Sequence, residues 1–285
     1  MIKFGPAGNE SSFYDEGNRH TYQAMKWLSD MGLNAYEYQA GRGVRLKEES
    51  GLKIKEEAQK YGINLSLHAP YYINTASLEA EKLENTKRYL YESYLAAKYI
   101  GAKRICFHPG SFKGDTREGA IKRASSFLKS FLDDLNDLSI VYCPELMGKI
   151  NQLGNLEEII YLCAKDERLL PTIDFGHLNA RTYGSLKASG DFEKVILTLI
   201  NGIGLERSRK IHIHFSQIEY TKGGEKKHLT FSDQEYGPFF ENLVPILYKY
   251  EMTPYIICES ADKMAQDALR CKKLYEQYDK KDVTR

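Results

Sequence analysis

A chain of 285 residues, 42% hydrophobic and 28% charged, has enough apolar mass for a substantial core and the charge density of a water-soluble protein. Forty basic side chains against 39 acidic ones leave a net charge of +1, so no global basic field announces a nucleic-acid partner. No apolar run approaches the roughly 20 residues of a membrane span and no signal-peptide pattern is visible, so the expectation is a cytoplasmic protein with no membrane partner.

Ile2 to Phe4 reads as a short strand, closed by Gly5-Pro6-Ala7-Gly8. Tyr22, Met25, Trp27 and Leu28 approximate a 3.6 period, which predicts a helix over 19–31 that Gly32 stops. A strand over 34–39 follows, then a polar helix through Ile54 and Ala58, then a strand over 63–67 that ends on His68. A long helix over 78–99 leads to Arg104-Ile105-Cys106-Phe107, a strand that runs into His108-Pro109-Gly110. Ala120, Ala124, Phe127, Leu128, Phe131 and Leu135 form one stripe of a helix over 117–135. Further strands over 139–145, 169–174, 210–214 and 254–259 end on Glu145, Asp174, His214 and Glu259. Helices from Asn155, over 191–201, over 238–250 and over 262–278 follow them, and the Lys/Asp-rich end from Asp279 is expected to fray. Eight strands alternating with eight helices predict a parallel sheet closed as a (β/α)8 TIM barrel, one α/β domain over residues 1–285.

In such a barrel the side chains at the C-terminal strand ends converge on the active site. Consecutive strands end here on His68, His108, Glu145, Asp174, His214 and Glu259. Imidazole and carboxylate donors together suit zinc, and also manganese or iron. Six ligands exceed what one tetrahedral zinc needs, so two metals about 3.5–4 Å apart are expected, with Glu145 as the bridge and the catalytic carboxylate. The residues two before each ligand, Ser66, Cys106, Cys143, Thr172, His212 and Ile257, should face the same way and fill the barrel below. His177 and His228 read as loop histidines after neighbouring strands, placed for a third metal. The five cysteines form no C-x-x-C pair and read as small buried hydrophobes.

At these residues the chain resembles the endonuclease IV family of apurinic/apyrimidinic endonucleases, over most of its length. The most specific pieces are His108-Pro109-Gly110, Asp174-x-x-His177 and the ordered set of strand-end ligands. The resemblance implies a TIM barrel with three zinc ions. His68, His108 and Glu145 would hold one ion, Glu145, Asp174, His214 and Glu259 a second, and His177 with His228 a third. The family usually places Asp-x-His after strand seven, whereas Lys226 stands two before His228 here and cannot take that role. Glu225, three before His228, is the available substitute. The resemblance also makes Tyr71 and its neighbour Tyr72 candidates for insertion into a duplex, with Arg42 the nearest candidate for a wedge.

Arg42, Arg45, Lys47, Lys113, Arg117, Arg181, Lys222, Lys226 and Lys227 all fall in or near loops after strand ends, which predicts a positive rim for a phosphate backbone. The leading expectation is a monomeric, zinc-dependent phosphodiesterase acting on double-stranded DNA at abasic sites. The alternative is a metal-dependent sugar isomerase or epimerase, which needs only Glu145, Asp174, His214 and Glu259. A third reading, a DNA-binding relic, predicts binding to abasic DNA without turnover.

Overall fold

The computed structural model describes residues 1–282, with side chains described through 278; the last helix, Met264–Asp282, continues through the residues where fraying is expected from Asp279, and the rest of that end lies outside the described residues. Among the described residues there are ten strands: Lys3–Pro6 (β1), Ala35–Gln39 (β2), Asn64–His68 (β3), Arg104–Phe107 (β4), Val141–Pro144 (β5), Thr172–Asp174 (β6), His212–Phe215 (β7), Ile218–Thr221 (β8), Gly224–His228 (β9) and Tyr255–Cys258 (β10). Parallel pairing runs β1-β10-β7-β6 and β2-β3-β4-β5. The two sheets join at both seams, through the bridges Ala7↔Glu37 and Glu145↔Thr172. The Gly8 amide donates to the Glu37 carbonyl at 2.9 Å, and the Leu146 amide donates to the Thr172 carbonyl at 3.0 Å. The eight parallel strands therefore close into the expected barrel. The first seam depends on Gly5, because a Cβ there would lie 1.9 Å from the Ala35 carbonyl oxygen.

Barrel strands face the interior on one side and the helical layer on the other, so they carry near-continuous buried runs. Every residue of β7, His212 to Phe215, is buried for that reason. The helix predicted over 117–135 runs Arg117–Leu135: Thr116 caps it by accepting from the Gly119 amide at 3.1 Å, and Asn136 ends it at φ +47°. Asn155 caps Leu156–Lys165 with Glu158 in a reciprocal capping box. The helix expected over 238–250 is broken into a 3-10 turn, Phe240–Asn242, and a helix, Val244–Lys249. Pro245 explains the break, since it lacks a donor and suits the first turn of a new helix.

Two elements near the strand ends correct the reading of His177 and His228 as loop residues. His177 lies in a helix, Phe175–Arg181, and is buried. His228 lies on β9, paired antiparallel with β8 in a hairpin between β7 and β10. Short helices at Ser11–Asp15 and Leu205–Ser208 were not anticipated either. Among the described residues no helix is long and apolar enough to cross a membrane. All five cysteines are buried free thiols.

Candidate metal centre

The strand ends bring His68, His108, Glu145, Asp174, His214 and Glu259 together at the mouth of the barrel. Glu145, buried just past β5, is the hub. Its Oε2 lies 3.0 Å from His68 Nε2 and 3.2 Å from His108 Nε2, while its Oε1 lies 3.3 Å from His214 Nδ1 and 3.2 Å from His177 Nδ1. The two oxygens thus face different histidine pairs. His68, His108 and Glu145 form one cluster of ligand atoms within 4.8 Å of one another, and Glu145, Asp174, His214 and Glu259 form a second. Glu145 belongs to both.

A third cluster, His177, Glu225 and His228, is built by the hairpin. Along a regular strand, residues three apart face opposite sides. The β8–β9 register shifts between Glu219 and Tyr220, which pair with Lys227 and Glu225, so Lys226 is the extra residue of a bulge. The bulge corrects the alternation and turns Glu225 and His228 to the same side. Lys226 instead pairs with Glu219, away from the cluster. Glycines let the hairpin close in: a Cβ on Gly224, at φ +88°, would meet the Gly148 carbonyl oxygen at 2.2 Å, and a Cβ on Gly148 would meet the Glu225 side chain at 2.6 Å.

Tautomers follow from the acceptors. A carbonyl oxygen only accepts, so His68 Nδ1, 2.9 Å from the Ala69 oxygen, carries a proton, and Nε2, which shares a proton with Glu145 in the metal-free protein, is the nitrogen left for an ion. His177 Nδ1 donates to the Leu146 carbonyl at 3.0 Å, leaving Nε2 towards Glu225 Oε2 at 3.4 Å. His228 Nδ1 pairs with Ser216 Oγ at 2.8 Å. Holding the second ring nitrogen in this way orients a metal-binding imidazole.

The electrostatics fit divalent cations. Burial alone would lower the His68 imidazole, but the Glu145 carboxylate outweighs it and pushes His68 up to about 9. His177 and His214, also desolvated, are held well above the ordinary histidine value by Asp174 and Glu145 and by Glu259, Glu37 and Glu145 respectively. Burial, reinforced by the like charges of Glu145 and Asp174, raises Glu259 to about 7 against the pull of His214. Asp174 Oδ1 accepts from the His177 amide at 2.7 Å, whereas its buried Oδ2 accepts no hydrogen bond. An orphaned carboxylate oxygen and a carboxyl raised by its neighbours are what a site built around cations shows when only protons balance its acids.

A cleft of about 570 Å³ opens over these groups and is lined also by Tyr71, Gln39, Met147, Lys149 and Gln152. The Tyr71 ring stacks beside His108 with centroids 6.0 Å apart. Tyr72 is outside the cleft lining and packs towards Tyr89, with centroids 5.9 Å apart. Arg42 is exposed next to Gly41, whose carbonyl accepts from the Tyr71 amide at 3.1 Å. Lys222 and Lys227 are exposed on the hairpin. Arg117 and Arg181 are not open rim cations as expected. They donate to the carbonyls of Met147, Lys149, Ile150 and Gln152, and Arg117 also pairs with Glu158 at 2.7 Å. Carbonyls of an irregular loop, bridged to β9 only at Lys149 and Gly224, need such donors. Their effect is to fix the loop that presents Lys149, a cleft cation that the sequence reading passed over.

A family model described as Xylose isomerase-like TIM barrel matches residues 25–274. The chain belongs to the xylose isomerase-like TIM barrel family. Among its relatives, the uncharacterized protein MJ0133 of Methanocaldococcus jannaschii is 33% identical over 277 residues, 96% of this chain and 97% of that one. The probable endonuclease 4 of Staphylococcus carnosus is 30% identical over 225 residues, 73% of each chain. A solved D-tagatose 3-epimerase-like protein superposes with a TM-score of 0.73 at 19% identity, over 97% of both chains, which is a likeness of fold. The xylose isomerase-like barrels are enzymes, endonucleases and epimerases among them, and members bind metals. The likeness to endonuclease 4 that the histidine and carboxylate motifs carry therefore extends to sequence relatives.

Glu37 is the functional candidate that the sequence reading missed. It is fully buried in β2, between His212 and His214. The signal was present: in Ala35-Tyr36-Glu37-Tyr38 an acid occupies the middle of an otherwise buried strand, where an unpaired charge is costly. Burial would raise the Glu37 carboxyl, but the two imidazoles outweigh it and hold it well below the usual carboxylate range. Burial also lowers His212 to about 4.

Proposed function

We propose that this chain is a metal-dependent DNA repair endonuclease that hydrolyses the phosphodiester 5′ to an abasic site in double-stranded DNA, leaving a 3′-hydroxyl and a 5′-deoxyribose phosphate. The reading takes the chain as one barrel domain working as a monomer in the cytoplasm, where buried free thiols persist. The observation that carries it is the division of Glu145 between two histidine pairs, with a third cluster alongside.

His68 and His108 with Glu145, then Glu145 with Asp174, His214 and Glu259, then His177, Glu225 and His228, are the residues that would hold three zinc ions, manganese or iron being the other candidates. Divalent ions in such a cluster supply an activated water near neutral pH and charge stabilisation for an in-line displacement at phosphorus. The chain's own side chains supply the rest. Glu145 fixes the relative positions of both histidine pairs and faces the nucleophile. Tyr71 offers a flat surface over His108 on which the sugar–phosphate at the lesion can rest. Arg42, Lys149, Lys222 and Lys227 meet the flanking phosphates, with Tyr72 and Lys226 further out.

The test is nicking of a duplex that contains a tetrahydrofuran abasic analogue by the zinc-loaded protein. Cleavage on the 5′ side supports the reading, and no cleavage with zinc or manganese restored contradicts it. A second reading, a sugar isomerase or epimerase, draws on one observation: Glu145, Asp174, His214 and Glu259 close as a four-ligand site by themselves. That reading requires one metal per chain and ketose turnover. The nuclease reading requires two or three. Glu225→Ala is expected to lower bound zinc from three to two per chain by elemental analysis, with the other two retained; an unchanged count would remove Glu225 from the ligand set.

A further inference from the structure

Below the strand-end cluster, inside the barrel, two hydrogen-bond donors and two imidazoles surround Glu37. Its Oε1 lies 3.1 Å from His214 Nε2 and accepts from Gln39 Nε2 at 3.1 Å. Its Oε2 lies 3.1 Å from His212 Nε2 and accepts from Ser66 Oγ at 2.9 Å. Each oxygen thus accepts one hydrogen bond and has a buried imidazole Nε2 beside it that finds no other acceptor. Glu37, Cys106, His212 and His214 do come within ligand distance of one another, but Gln39 and Ser66 already donate to Glu37, one to each oxygen. The role left for Glu37 is to hold its neighbours.

His214 is the neighbour that reaches both layers. Its Nε2 lies beside Glu37 with no other acceptor, while its Nδ1 lies 3.3 Å from Glu145 Oε1 and 3.5 Å from Glu259 Oε1. We propose that Glu37 is a positioning residue: it accepts the Nε2 proton of His214, fixes that tautomer, and leaves Nδ1 as the lone pair offered to a divalent ion beside Glu145, Asp174 and Glu259. His68 and His177 instead present Nε2, because backbone carbonyls hold their Nδ1. His214 is inverted because its far nitrogen points down the barrel, where β2 supplies a carboxylate. An acceptor with full negative charge also raises the basicity of the ligating nitrogen more than a carbonyl does.

The inference rests on a metal occupying this set and is independent of the DNA substrate. In Glu37→Gln the volume is kept, but one carboxylate oxygen becomes an amide nitrogen that donates, which opposes the Nε2–H tautomer at one of the two imidazoles. Cobalt titration of the metal-free protein, followed by its visible absorption, is expected to show affinity 10–100-fold weaker in Glu37→Gln than in the unaltered chain. Nitrogen-15 chemical shifts of histidine in the zinc-loaded, unaltered protein are expected to show His214 metal-bound at Nδ1 and protonated at Nε2. That second measurement decides the matter even where Glu37→Gln fails to fold. Ligation of His214 through Nε2, or cobalt affinity unchanged in Glu37→Gln, would overturn this inference alone. Failure of the unaltered chain to bind cobalt or zinc would overturn the metal reading with it.

Discussion

Glu145→Gln is expected to lower kcat on an abasic duplex by about 10³-fold, equivalent to about 4 kcal/mol of transition-state stabilisation, while KM changes by less than about threefold. The split follows from where Glu145 sits. It is buried beneath the cleft and touches four imidazoles rather than the rim, so it contributes little to binding the duplex. A glutamine keeps the shape and one oxygen. Its amide nitrogen faces one of the two histidine pairs as a donor, so the carboxylate's shared role is lost at one side whichever way the amide turns. Steady-state kinetics on the zinc-loaded variant check this. A large rise in KM at constant kcat would move Glu145 out of the chemistry and into binding.

The second large effect concerns the metal-free protein. His68 is raised from the ordinary 6.5 to about 9 and Glu259 from 4.5 to about 7. A folded-state value above the unfolded one gives stability that is fully present below the unfolded value and is lost as pH rises through the folded one. For Glu259 the loss runs from about pH 4.5 to 7, and for His68 from about pH 6.5 to 9. His177 and His214, also raised, act in the same direction. At about 1.4 kcal/mol per pH unit, the His68 change alone is on the order of 3 kcal/mol. The chelator-treated protein is therefore expected to melt at progressively lower temperature from pH 6 to pH 9. Zinc reverses this, because cations replace the protons the acids have lost, and binding at about 1,000 times Kd stabilises by about 4 kcal/mol. Thermal melts at pH 6, 7.5 and 9, with chelator and with zinc, check it: the gap between the two curves should widen with pH. His212, lowered to about 4, acts in the opposite sense from about pH 4 to 6.5, as do the lowered His108 and His228, so they offset Glu259 below about pH 6.5 and leave the decline above it; Glu37, also lowered, weakens the fold only on the acid side.

The barrel was legible because its helices are amphipathic and its strands are bounded by glycine and proline. The helix Arg117–Leu135 could be placed to the residue, since its cap, its apolar stripe and its stop are all local signals. The convergence of the six strand-end side chains was legible because a barrel converts sequence order into position around a ring. What escaped notice depends on contacts between distant segments. Asp174 both ends β6 and caps the helix that carries His177, so no turn residues separate the two and seven residues show no clear period. The β8–β9 hairpin lacks apolar alternation because it packs on the polar rim, and its bulge becomes visible only once β8 fixes the register. Lys226 looked like a defect in a ligand pair; the bulge turns it outwards to Glu219 and puts Glu225 beside His228. Arg117 and Arg181 looked like rim cations because sequence shows charge and not the carbonyls a loop leaves unpaired.

The most direct test of the shared cluster is X-ray absorption at the zinc edge on the reconstituted protein. If Glu145 joins two ions, a zinc–zinc vector of about 3.5–4 Å appears, together with a shell of nitrogen and oxygen neighbours. A spectrum of isolated zinc, with nitrogen and oxygen neighbours and no metal–metal vector, would contradict the account.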